Sequence, residues 1–217
     1  QDAARRSGRD PGRVRLLAVT KTATPRTMRE AWDAGQTDFA HNYVQRLEEQ
    51  APCLPPEACW HAIGPLQRNK VRRAIRVAAV IQTVAEAGLA SSLERAAEEE
   101  GKAPLAVLAQ VNLTPEDGRA GCPPPGLPGL LRHLRSLAAI RCRGLMTLGP
   151  QGASDAALHR HFGRLRRLAE ESAAAGLLPE EAELSMGMTA DFEIAVEEGA
   201  TMVRIGRALF PPSSQAS

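Results

Sequence analysis

Aromatic residues are scarce: they make up 3% of the 217-residue chain, with a single tyrosine, Tyr43. That scarcity argues against single-stranded nucleic-acid binding, which relies on bases stacking on aromatic side chains. The basic stretch Arg68, Lys70, Arg72, Arg73 and Arg76 is where nucleic acid comes into question. With few aromatics beside it and a net charge of only +2, it reads as a solvated helix face. Lysine is scarce too. Only Lys21, Lys70 and Lys102 stand among 27 basic residues, while Arg, Ala, Gly and Pro are in excess. Under such a bias each arginine is weak evidence for a site and each lysine is better evidence.

Long apolar runs are absent. No uninterrupted stretch approaches the roughly 20 residues of a membrane-spanning helix, so no membrane partner is expected. The first 15 residues are polar and arginine-rich, unlike a signal peptide. The chain opens on Gln1 rather than Met, so further sequence upstream is expected. The cysteines Cys53, Cys59, Cys122 and Cys142 contain no CxxC pair, and no Cys/His spacing reads as a zinc site. No metal is therefore expected. Reduced, structural thiols and a cytoplasmic location are the natural reading for a chain of this size without a signal.

What the chain does have is regular alternation. Apolar runs at 13–19, 38–40, 60–64, 77–84, 105–112, 140–148, 183–188 and 201–205 read as strands. Helical patterns follow them. Thr24 and Pro25 cap and open the first, in which Met28, Ala31 and Trp32 recur at helical spacing before Gly35. Strands that each feed an amphipathic helix argue for a parallel sheet. Eight such units in about 200 residues argue for a closed (β/α)8 TIM-type barrel over 13–210, with an open doubly wound sheet as the rival. Residues 1–12 read as the remnant of an N-terminal helix or linker, 116–128 as a long loop and 211–217 as a disordered tail.

Three places could carry chemistry. Lys21 ends the first strand, where a barrel places its reactive groups. Against an apolar wall its charged form would be disfavoured and its amine nucleophilic; the alternative is a side chain whose head snorkels into water. The segment 184–193 leads through Gly187 into a helix that Thr189 could cap, and Gly206 follows the eighth strand. Loops after strands seven and eight commonly build a phosphate site from helix N-termini, yet tight βα turns need no ligand. His61 lies within a strand, either facing the barrel mouth or hydrogen-bonded in the core. His159 and His161 sit two apart on a helix, on different faces, which speaks against a shared metal.

Together the motifs carry a resemblance. They are L-L-A-V-T-K-T (16–22), N-Y-V-Q (42–45), W-H-A-I-G-P-L-Q-R-N-K (60–70), R-G-L-M-T (143–147), L-S-M-G-M-T-A-D-F-E (184–193) and M-V-R-I-G-R-A-L-F (202–210). In this order, over nearly the whole chain, they resemble the pyridoxal phosphate homeostasis protein family. The resemblance implies an alanine-racemase-like N-terminal barrel holding pyridoxal 5′-phosphate. Lys21 then matches the Schiff-base lysine, Thr189 a phosphate-binding hydroxyl that is usually serine, and Gly206 a backbone phosphate contact. Arg204 matches the arginine near the pyridine nitrogen; Asn42 and Met188 line the pocket, and Ser185 is counted with the cofactor-binding residues.

The sequence departs from the family at Ala40-His41, where Gly-Glu is usual, at Arg119-Ala120-Gly121 for Lys-x-Gly, and at Phe210-Pro211 for Phe-Gly. The basic end of many members and most of the helix before the first strand are also missing. The function implied is a carrier that buffers the cofactor and passes it to apo-enzymes, without robust catalysis. The alternative is a racemase-like enzyme, which needs a second proton donor. In racemases that donor is a tyrosine from a β-rich domain; this chain ends just after its eighth strand, which also favours a monomer.

Overall fold

The computed structural model describes residues 1–114 and 119–211. Eight parallel strands close into a barrel in sequence order. They are β1 (Arg15–Val19), β2 (Asp38–His41), β3 (Cys59–Ala62), β4 (Val80–Val84), β5 (Leu105–Gln110), β6 (Ile140–Met146), β7 (Glu183–Ser185) and β8 (Met202–Ile205). The barrel shuts where β8 pairs with β1, Leu17 opposite Arg204. The closed barrel expected from the alternation is thus the fold, and the open sheet is not. Among the described residues eight α-helices accompany the strands: α1 (Asp2–Arg6), α2 (Pro25–Asp33), α3 (Val44–Gln50), α4 (Val71–Val77), α5 (Ala87–Glu99), α6 (Leu127–Ser136), α7 (Asp155–Ala174) and α8 (Phe192–Glu197).

Local rules explain most element ends. Thr24 and Thr27 form a reciprocal capping box at the start of α2, with Pro25 in the first turn. Gly35 ends α2 with φ +94°, a conformation open to glycine. Every residue of β4 is buried, as a parallel strand covered on both faces requires. The main core lies between barrel and helices, around Met28, Phe39, Leu47, Ile75, Leu93, Leu131 and Phe162. A second, small apolar cluster fills part of the lumen: Leu17, Ala40 and Met202, with Val19 and Ile63 against them. At the N-terminal edge Arg6 ties α1 to Glu193 and Glu197 of α8 at 2.7 and 3.0 Å.

Several boundaries differ from the sequence pattern. The run 77–84 is not all strand: Val77 ends α4, and Ala78 still donates to Ala74 O. Within 183–188, β7 ends at Ser185, because Gly187 turns the chain at φ +93°. Within 140–148, β6 ends at Met146, while β5 ends two residues before 112, at Gln110. The expected loop 116–128 gives way to a 3-10 turn at Pro124–Gly126 and to α6 from Leu127. Pro128 sits in the first turn of α6, where its missing N–H is harmless. Positions 116–118 of that loop and 212–217 of the expected tail lie outside the described residues.

Gly144 of β6 pairs with Glu183 of β7, and a Cβ there would lie 2.0 Å from Glu183 O. Gly129 in α6 has nothing within 4 Å of its Cβ position. Gly144→Ala should therefore lose about 3 kcal/mol or fail to fold, whereas Gly129→Ala should gain up to about 1 kcal/mol. Urea titration of the two variants checks both signs.

Candidate functional site

Side chains alternate along each strand, so the lumen cluster sets which residues point inward. Met202 shares its face of β8 with Arg204, and Leu17 its face of β1 with Val19. The C-terminal ends of β1, β7 and β8 therefore aim the segments around Lys21, Gly187 and Gly206 at one mouth of the barrel. The close contacts agree. Arg204 N donates to Gly187 O at 3.0 Å, and a Cβ on Gly206 would sit 3.2 Å from Val19 O.

Lys21 is held by its neighbours rather than by its own amine. Thr20 Oγ donates to Gln50 Oε1 at 2.6 Å, and Gln50 Nε2 donates back to Thr20 O at 3.2 Å. On the other side Thr22 Oγ donates to Phe210 O at 2.7 Å, fastening the segment to the turn after β8. The Lys21 side chain is exposed and has no hydrogen bond or ion pair among the described residues. Its exposure matches a side chain whose head reaches water.

The turns after β7 and β8 both present free donors. Asp191 Oδ1 accepts from Met188 N at 2.5 Å and shapes the first turn. Within it the N–H groups of Thr189 and Ala190 and the hydroxyl of Thr189 have no partner among the described residues. Gly187 is required there, because a Cβ would lie 2.6 Å from Ala195 Cβ. After β8, Gly206 O accepts from Leu209 and Phe210, leaving the N–H groups of Arg207 and Ala208 at the open start of a helical turn. Such clusters of free N–H groups are anion sites. Asn42 is exposed, and Met188 and Thr189 are half-buried, at this same end.

Arg204 lies deeper. Nη1 donates to Ser185 Oγ at 2.7 Å and Nη2 to Thr147 O at 2.8 Å. Complete burial lowers its pKa to about 10, opposed by Asp191, so it stays cationic at neutral pH. Ser185 passes the interaction on: its hydroxyl donates to Gln82 Oε1 at 2.7 Å. Gln82 Nε2 then donates to His61 Nδ1 at 2.9 Å, which leaves His61 Nε2–H for Asp38 Oδ1 at 3.1 Å. The resulting line of hydrogen bonds crosses the lumen from Arg204 to Asp38 at the opposite mouth. Ser185 thus sits under the mouth, committed to Arg204 and Gln82.

The alanine racemase N-terminal domain model matches residues 2–213. A pyridoxal phosphate homeostasis protein of Pseudomonas aeruginosa is 42% identical over 97% of this chain and 89% of its own length. This chain belongs to the pyridoxal phosphate homeostasis protein family. The match extends to cattle, whose family member is 36% identical over 97% of this chain and 82% of its own. Among solved structures, PipY of Synechococcus elongatus with pyridoxal phosphate bound superimposes with a TM-score of 0.86 at 37% identity, covering 97% of this chain and all of PipY. A D-threonine aldolase from Filomicrobium marinum has a TM-score of 0.77 at 17% identity and shares the fold alone.

Two departures from the family pattern find places. His41 faces away from the lumen, and its Nδ1 accepts from Tyr43 N at 2.9 Å. Burial, with help from Arg46, pushes its pKa down, so it carries no charge at neutral pH. Arg119 donates to Gly149 O at 2.7 Å, fastening the loop after β5 to the loop after β6. His61, weighed as facing the mouth or hydrogen-bonded in the core, is hydrogen-bonded inside the lumen to Gln82 and Asp38. The motifs do not mark Gln82, Thr147 and Asp191 as site residues. The available signal is Gln82, an amide at a lumen position in the strand Val-Ile-Gln-Thr-Val.

Ser185→Ala removes the link between Arg204 and Gln82 and leaves two buried polar groups short of a partner. It should lower stability by about 2 kcal/mol or more in urea titration. The exposed Ser136→Ala, which also deletes one hydrogen bond, should change it by less than about 0.5 kcal/mol.

Proposed function

We propose that the protein binds pyridoxal 5′-phosphate reversibly at the C-terminal mouth, through Lys21 and the turns after β7 and β8. In this reading it is a cytoplasmic, monomeric carrier that buffers the cofactor and hands it to apo-enzymes, rather than a catalyst. The observation that carries the reading is the convergence of an unpartnered lysine amine with two turns whose N–H groups are free. The cofactor-bound PipY structure supports the same ligand.

The residues present fit the group. Its aldehyde can condense with a free amine, and its dianionic phosphate requires donors rather than a countercharge alone. Lys21 offers the amine on a backbone pinned at Thr20 and Thr22. Thr189, Ala190, Arg207 and Ala208 offer backbone donors, and Thr189 adds a hydroxyl. Asn42 and Met188 line the side of the mouth. Arg204 acts from below. A fixed cation close to where the ring nitrogen would lie would disfavour protonation of that nitrogen, and so would weaken the electron withdrawal on which carbanion chemistry depends. Arg204 has no proton to give up at working pH, since even after burial its pKa is about 10. Storage fits that electrostatics better than turnover. The relatives in Pseudomonas aeruginosa and Haemophilus influenzae are named for homeostasis.

Borohydride treatment of the cofactor-loaded protein should tag the peptide containing Lys21, and Lys21→Ala should give no tag while remaining folded. A tag on Lys70 or Lys102 would overturn the assignment. Thr189→Ala should weaken cofactor binding by about 1–2 kcal/mol, one hydrogen bond to a charged group. Pyridoxal lacking the phosphate should bind far less tightly; equal binding would reduce the two turns to structural elements. Wild type should exchange the α-proton of L- or D-alanine for deuterium slowly. Fast racemisation would establish the enzyme instead of the carrier.

A further inference from the structure

The N-terminal mouth, at the far end of the lumen from Lys21, holds a second group of residues. Asp38 opens β2 and Cys59 opens β3, and strand pairing sets the two opposite each other. His61 lies two residues beyond Cys59 and so faces the same way. Cys59 Sγ is 3.5 Å from His61 Nε2, and His61 Nε2 is 3.1 Å from Asp38 Oδ1. One donor atom from each residue lies within 4.8 Å of the other two. With zinc–sulfur and zinc–nitrogen bonds near their usual lengths, the edges of a tetrahedral ligand set are roughly 3.5 Å for S···N and about 3.3 Å for N···O. The observed S···N and N···O distances match those two edges.

We propose that Asp38, Cys59 and His61 form a binding site for a divalent cation of the zinc class. The ligand set mixes one sulfur, one nitrogen and one oxygen, which suits a borderline metal rather than calcium or magnesium. A carboxylate and a thiolate balance the double charge. His61 is fully buried while Asp38 and Cys59 are half-buried, so the site has rigid support and an entry from solvent. Three protein ligands leave one position for water.

The surroundings are compatible. Arg15 reaches Asp38 only at 3.8 Å and is held instead by Glu183 at 2.9 Å. Arg143 also pairs with Glu183, at 3.7 Å. The second carboxylate oxygen of Glu183 is buried at this mouth with no hydrogen-bond partner, which adds an acceptor beside the ligands.

The protons balance simply. A cysteine binds such a metal as the thiolate, so the Cys59 thiol loses its proton on binding. The imidazole keeps its one proton, which moves from Nε2 to Nδ1. Gln82 then turns its carboxamide so that Oε1 accepts from Nδ1–H, giving the ligand histidine the outer partner such residues normally have. Ser185 Oγ, with two lone pairs, then accepts from both Gln82 and Arg204, and its own proton gives up Gln82 Oε1 as acceptor, a cost that the metal–ligand bonds offset.

The test uses the full chain, reduced and stripped of metal with a chelator, titrated with Co2+ as a spectroscopic probe and with Zn2+ against a chromogenic chelator. A single equivalent of Co2+ should produce a thiolate-to-cobalt absorption band with one proton released. The band should vanish in Cys59→Ser and persist in Cys53→Ser. Zinc affinity should fall at least ~10-fold in Cys59→Ser and in Asp38→Asn, and Zn2+ should raise the melting temperature of wild type but not of Cys59→Ser. Absence of the band in wild type, or its survival in Cys59→Ser, would overturn the site. Cofactor binding by Cys59→Ser, read by borohydride tagging at Lys21, is expected to be unchanged. The proposed cofactor site and the metal site therefore stand or fall separately.

Discussion

A guanidinium with no access to water sits inside the barrel, and much of the lumen follows from it. An isolated buried cation would be untenable, so Arg204 must be met by acceptors. Thr147 O and Ser185 Oγ meet it directly, and Asp191 supplies opposite charge nearby. Ser185 has one proton to place, which fixes Gln82; Gln82 in turn fixes His61, and His61 ends on Asp38. Each donor points from the cation toward the anion, so the dipoles reinforce one another in the low-dielectric interior. An apolar cluster shares the lumen with this line: Leu17, Ala40 and Met202, with Val19 and Ile63 beside them.

The two mouths of the barrel differ for the same reason. At the C-terminal mouth the polarity is spare: Lys21, the Thr189 hydroxyl and four backbone N–H groups have no partners among the described residues. At the N-terminal mouth it is mostly spent. Arg15, Asp38, Glu183 and Arg143 bind one another, and only one carboxylate oxygen of Glu183 is left over. Free donors invite an anionic ligand, whereas a satisfied network resists one. This asymmetry, more than any single residue, is what favours an anionic ligand at the C-terminal mouth in the proposed reading.

How much of this the sequence discloses depends on how local each cause is. The barrel was legible because each strand and helix carries its own pattern: the capping box at Thr24, the buried run of β4, the glycine after α2. Element ends were less legible. Val77 belongs to a helix because Ala78 can still reach Ala74, which an apolar run does not announce. Lys21, Gly187 and Gly206 stood out from their place at strand ends. The line beneath them did not, since Ser185 and Gln82 are 103 residues apart and His61 and Asp38 are 23 apart. Such pairs are created by closing the sheet into a barrel, and no spacing rule along the chain contains that step. Cys59 shows the same limit: its spacing to His61 is too short to read as a metal motif until β2 brings Asp38 alongside.

The line also restricts what evolution can change at the site. Arg204 could be exchanged for a carboxylate only if Thr147 O and Ser185 Oγ ceased to be acceptors facing it. Two oxygens that now stabilise a cation would repel an anion in the same volume. In the proposed reading, moving the barrel from storage toward carbanion chemistry thus requires more than one substitution around position 204. Ser185 would have to donate upward, Gln82 would have to find another donor, and the order of hydrogen bonds down to Asp38 would reverse. The weak electron withdrawal attributed to Arg204 is in this sense built into the whole lumen rather than into one side chain, and a change confined to position 204 would meet an interior still arranged for a cation.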